Sequence, residues 1–72
     1  METKNEIWRV DGDFLMAYTE DPGIMQRAKR YYSEFTVSAT YHKSGSLIGL
    51  QYRIPSSRKR SARHLFGVNV QN

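Results

Sequence analysis

Four cations crowd the segment PSSRKRSARHLFG, Pro55 to Gly67: Arg58, Lys59, Arg60 and Arg63. The segment reads as a short helix, with Ser56 or Ser57 as its N-cap, Ala62, Leu65 and Phe66 as its inward stripe and Gly67 as its C-terminal stop. Arg58, Lys59 and Arg60 then fall in the first turn. Cations there oppose the helix dipole, at about 0.3–1 kcal/mol each when exposed. Lys59 and Arg63, one turn apart with like charge, add a second small penalty. An anion bound at that end reverses the sign. Free backbone N–H groups, serine hydroxyls and basic side chains together are the donors that a phosphate takes. A solvated basic face that serves only solubility is the competing expectation.

Catalytic chemistry finds less support. There is no cysteine, so a nucleophile has to be Ser, Thr or Lys beside a base. The two histidines, His42 and His64, have no acid at an orienting spacing and no i, i+4 relation that would suit a metal. Asp11 and Asp13 flank a turn, and Glu20 and Asp21 precede a helix, where local geometry already accounts for carboxylates. No glycine-rich phosphate loop is present. The expectation is a protein that is not an enzyme and holds neither cofactor nor metal.

Charge asymmetry strengthens the anion reading. Through Thr36 the chain has seven acids against five Lys or Arg, whereas from Val37 onward it has six Lys or Arg and no acid. A net charge of +4 is therefore carried by the second half, which points to an acidic partner, most often nucleic acid. At 72 residues the chain is one domain, 1–72, with a thin core. The first residues, METKNEIWRV, have no apolar run behind them, and the longest apolar stretch is only Phe14 to Tyr18. Together with the lack of cysteine this predicts a soluble cytoplasmic protein.

Five further elements must position the basic helix. EIWRVDGDFLMAY reads as a hairpin with a two-residue type I′ turn at Asp11-Gly12. That register sets Trp8 opposite Leu15 and Ile7 opposite Met16, so Trp8, Val10, Leu15 and Ala17 share one face. Ile7, Phe14, Met16, Tyr18 and Arg9 share the other. In TEDPGIMQRAKRYYSE, Asp21 caps a helix that opens with Pro22. Ile24, Met25, Ala28, Tyr31 and Tyr32 form its inward arc, and Arg27, Lys29 and Arg30 lie on its outer side. FTVSATYHKSGSLIGLQYRIP reads as a second hairpin turning at Ser44-Gly45. Its paired residues Tyr41–Ile48, Ala39–Leu50, Val37–Tyr52 and Phe35–Ile54 make an apolar face, opposite Thr36, Ser38, Thr40, Gly49, Gln51 and Arg53. Val68 and Val70 can add a brief final strand. The order β-β-α-β-β-α predicts an α+β two-layer sandwich, an antiparallel sheet of about four strands with both helices on one face. Tyr31, Tyr32, Tyr41 and Tyr52 are expected in the core, which leaves the polar sheet face without rings and argues against base stacking there.

The run SSRKRSARHLF resembles the start of the last helix in double-stranded-RNA-binding domains, where a serine precedes a Lys-Lys-x-Ala-Lys pattern; Lys59, Arg60, Ala62 and Arg63 match it. The likeness spans about eleven residues, and that family opens with a helix where this chain opens with a hairpin. It implies that a basic helix N-terminus behind a hairpin can grip a duplex backbone.

Two functional expectations follow. The first is a non-enzymatic nucleic-acid-binding protein, for DNA sooner than duplex RNA, that grips phosphates through Arg58, Lys59, Arg60 and Arg63, assisted by Lys29, Arg30 and Arg53. The second is a protein-interaction module, an inhibitor or adaptor of the kind that phages and mobile elements encode. It would dock on an acidic protein surface and use Trp8, Phe14 and Met16 as interface residues. A homodimer through the first hairpin is compatible with both.

Overall fold

The structure, a computed structural model, describes residues 4–71. Its elements are β1 (Asn5–Arg9), β2 (Phe14–Thr19), α1 (Pro22–Tyr31), β3 (Thr36–Lys43), β4 (Ser46–Pro55), a 3-10 turn (Ser56–Arg58), α2 (Lys59–Phe66) and β5 (Val70–Gln71). The class is α+β, as the sequence predicts, with five strands in the order β3-β4-β2-β1-β5. The fifth is the short tail strand, which pairs parallel to β1 through Ile7–Val70 and Trp8–Gln71.

One apolar cluster joins the sheet to both helices. Ile7, Leu15, Ala17, Tyr52 and Ile54 supply the sheet side, and Ile24, Ala28, Ala62, Leu65 and Phe66 supply the helix side. Both helices therefore lie on the same face. Asp21 caps α1 as expected, its Oδ1 accepting from Gly23 N–H at 2.8 Å behind Pro22. The buried Thr19 hydroxyl ties the strand to that cap: it donates to Asn5 Oδ1 and accepts from Asp21 N–H. Gly67 ends α2 in the left-handed region, at φ 70°, as its expected role requires.

Both hairpins depart from the predicted pairing. At the first, neither Asp11 nor Gly12 has positive φ, so the turn is not type I′. Asp11 Oδ1 instead accepts from the N–H groups of Asp13 and Phe14, at 2.8 and 2.9 Å, and holds a four-residue connection. The register slips by one: Trp8 pairs with Met16 and Ile7 with Ala17. Ile7 thus enters the core beside Leu15 and Ala17, and Trp8 joins Phe14, Met16 and Tyr18 on the open face.

The second hairpin keeps its turn, with Ser44 and Gly45 at φ 52° and 81° and Lys43 opposite Ser46. It also keeps Val37–Tyr52. Between these, an extra residue on β3 at Ser38 and a compensating one on β4 at Ile48 shift the pairing. Ala39 then faces Gln51 and Tyr41 faces Gly49, so both turn to the open side. Tyr41 finds a partner there, its hydroxyl donating to Gln51 Oε1 at 3.0 Å. Tyr31 is a further correction: it is 66% exposed at the end of α1, whereas Tyr32 packs against the core and stacks on Phe35.

Candidate functional site

The path into α2 differs from the predicted serine cap. Ser56 N–H donates to Asp13 C=O at 2.8 Å, and the 3-10 turn carries Lys59 N–H onto Ser56 C=O. The backbone thereby satisfies its own early donors, neither serine side chain makes a cap hydrogen bond, and Arg58 takes the N-cap position of α2. Lys59 and Arg60 stay where the sequence places them, in the first turn, and Arg63 follows one turn on, within the last turn of this short helix.

Their surroundings separate them. Arg58 is half-buried, with Nε 3.0 Å from Glu34 Oε2, an ion pair that ties α2 to the segment after α1. Lys59, Arg60 and Arg63 are exposed, and among the described residues no carboxylate lies within ion-pair distance of them. Arg63 is steered by a neutral group, its Nη2 donating to Asn69 Oδ1 at 2.9 Å. Arg60 and Arg63 line two polar depressions, one shared with Ser57, Lys59 and Ser61, the other with His64, Gly67 and Asn69. The outcome is a ridge of three cations with hydroxyl and amide groups on both flanks, suited to an oxyanion and to little else chemically.

The remaining predicted residues fall in two places. Lys29 and Arg30 are exposed on α1, which packs beside α2 on the same face of the sheet. Arg53 is on the opposite face, its Cζ 3.7 Å from the Phe14 ring centroid, and does not join the ridge. Trp8, Phe14 and Met16 come together there, each half-buried. The sequence sets Tyr18 on the same face as Phe14 and Met16 without marking it as an interface residue, and it assigns Tyr41 to the core. Tyr18 lies across Gly49, where a Cβ would collide with its ring, and Tyr41 meets it edge-on at 5.5 Å between centroids. The Tyr18 hydroxyl donates to Glu20 Oε2 at 2.8 Å; burial first, and that carboxylate second, push its pKa up. The two bulges were the hidden signal, because without them Tyr41 reads as core.

An apolar groove of about 590 Å3 runs between α1 and the β3–β4 hairpin, lined by Met25, Tyr32, Phe35, Val37, Leu47 and Leu50 among others. Lys29, Tyr32 and Tyr52 are the titratable residues of its lining, and among the described side-chain hydrogen bonds none joins any two of them. Among the described residues no three His, Cys, Asp or Glu cluster as metal ligands, and no helix is long and apolar enough to cross a membrane. No family model, curated protein or solved structure matches the chain.

Proposed function

We propose that the protein is a small, non-enzymatic nucleic-acid-binding protein of the cytoplasm that holds the phosphate backbone, of DNA first and duplex RNA second, against α2. Lys59, Arg60 and Arg63 make the primary contacts, and Lys29 and Arg30 extend them onto α1. Arg58 acts as a strut through Glu34. The observation that carries the reading is the exposed cation ridge, with Lys59 and Arg60 in the first turn of α2 where the dipole disfavours them and Arg63 one turn further on, and with no carboxylate partner among the described residues. Nothing in the ridge is shaped to read base edges, so binding follows charge more than sequence.

Anisotropy of a short labelled DNA duplex tests this. The triple variant Lys59→Gln, Arg60→Gln, Arg63→Gln is expected to weaken binding about tenfold or more while the fold persists. Unchanged affinity overturns the reading.

A second reading, an inhibitor or adaptor for an acidic protein surface, draws support from Trp8, Phe14 and Met16, which lie together and partly exposed. Capture from lysate with and without nuclease separates the two. A protein retained in stoichiometric amount after nuclease favours the adaptor, and co-purified nucleic acid favours the first reading.

A further inference from the structure

An antiparallel sheet with one wet face ordinarily alternates apolar inward with polar outward. Strand β2 is apolar on both sides. On the face away from the helices, pairing aligns Trp8, Met16 and Arg53 in one row across β1, β2 and β4, and Glu6, Tyr18 and Gln51 in the next. Phe14 extends the patch at one end and Tyr41 at the other. The side chains are already held in place: Arg53 lies on Phe14, and Tyr18 is wedged between Gly49 and Tyr41.

The charges on this face have a pattern. Arg53 and Glu6 occupy diagonal corners of the two rows, and the midpoint between them falls between Met16 and Tyr18. A two-fold axis lying in the face, crossing that midpoint perpendicular to the line that joins the two corners, exchanges them. About that axis the two charges are complementary to those of a second copy, as an isologous interface requires. Glu6 and Glu20 on the same surface repel phosphate, so this face suits a protein surface better than a polyanion.

We infer that the open face is a homodimer interface, in which two copies pack sheet against sheet about that axis and Arg53 of each copy faces Glu6 of the other. Met16 and Tyr18 form the centre, with Trp8 and Phe14 around them, at the roughly 10 Å spacing of packed sheets. Within each copy Lys4 lies 3.8 Å from Glu6, an exposed contact that leaves the carboxylate open to a second cation. The helices end up on the two outer layers. The dimer itself does not depend on the nucleic-acid reading; if both hold, each dimer presents two basic ridges facing apart and bridges two duplexes.

Sedimentation equilibrium of the nuclease-treated full chain tests the interface without nucleic acid, so its failure is distinct from failure of the phosphate site. The wild type is expected to show a monomer–dimer equilibrium, and Met16→Glu to raise the dimer dissociation constant about tenfold or more. Glu6→Arg and Arg53→Glu each weaken the dimer, and the double variant restores it. Circular dichroism confirms that each variant is folded. A wild type monomeric at every concentration, a dimer indifferent to Met16→Glu, or a double variant as weak as the singles overturns the inference.

Discussion

On strand β2 the residues facing the helices are Leu15, Ala17 and Thr19, all fully buried, while those facing away are the larger Phe14, Met16 and Tyr18, only half-buried. The covered face is built for close approach. Ala17 is buried in the same cluster as Ala28 and Ala62 of the helices, and Phe66 meets Tyr52 edge-on with 5.9 Å between ring centroids. The open face is built for area. In so short a chain apolar volume is scarce, and placing four rings and a methionine outside the core makes sense when another surface covers them.

The contrast is broken most severely from the covered side. Phe66→Ala should cost about 3–5 kcal/mol, since the ring is fully enclosed and its neighbours are held by the sheet. Met16→Ala, measured at a concentration where the chain is monomeric, should cost under about 1 kcal/mol, because its side chain has little enclosed volume to lose. Urea unfolding compares the two, and equal losses would mean that the open face is a second core. Gly49→Ala should fall between, at about 1–3 kcal/mol, because its new methyl meets the Tyr18 ring. Its additional mark is a disturbed Tyr18–Tyr41 contact and a weaker dimer.

Much of this division was legible in the sequence, for identifiable reasons. Asp21-Pro22, Ser44-Gly45 and Gly67 act through their own backbone preferences, so α1, the second turn and the end of α2 fall where local chemistry puts them. The faces of β1 and β3 were not legible. Asp-Gly signals a tight turn only when the aspartate side chain does not itself bond the following N–H groups, and here Asp11 does. The bulges at Ser38 and Ile48 arise from pairing, not from residue type, and they move Tyr41 across the sheet. The basic ridge was visible as residues. That Arg58 is diverted to Glu34, and Arg53 to Phe14, depends on neighbours far along the chain.

Smaller effects sharpen the comparison. Removing Lys59 and Arg60 should leave stability unchanged or raise it by a few tenths of a kcal/mol, since both sit in the first turn of α2 and oppose the dipole. By contrast Glu34→Gln should lower stability by under about 1 kcal/mol, the scale of a half-exposed ion pair. Thermal melts at low salt resolve the opposite signs.

The smallest effect concerns alkaline pH. Burial pushes the Tyr52 hydroxyl above its ordinary value of 10.0, and Tyr18 is raised as well, by burial and then by Glu20. A raised tyrosine pKa favours the neutral form in the folded chain. Its contribution is therefore complete below the ordinary tyrosine range and lost as pH rises through it, because the unfolded chain ionises first. Tyrosinate absorbance should show two late-titrating groups, and Glu20→Gln should bring one of them, Tyr18, closer to the ordinary range.

The phosphate-binding ridge is tested most directly by the salt dependence of duplex affinity. If Lys59, Arg60 and Arg63 carry the contact, log affinity against log salt should fall with a slope of about −3, steepening to about −4.5 if Lys29 and Arg30 also engage. A slope near zero, or no binding at low salt, would contradict it.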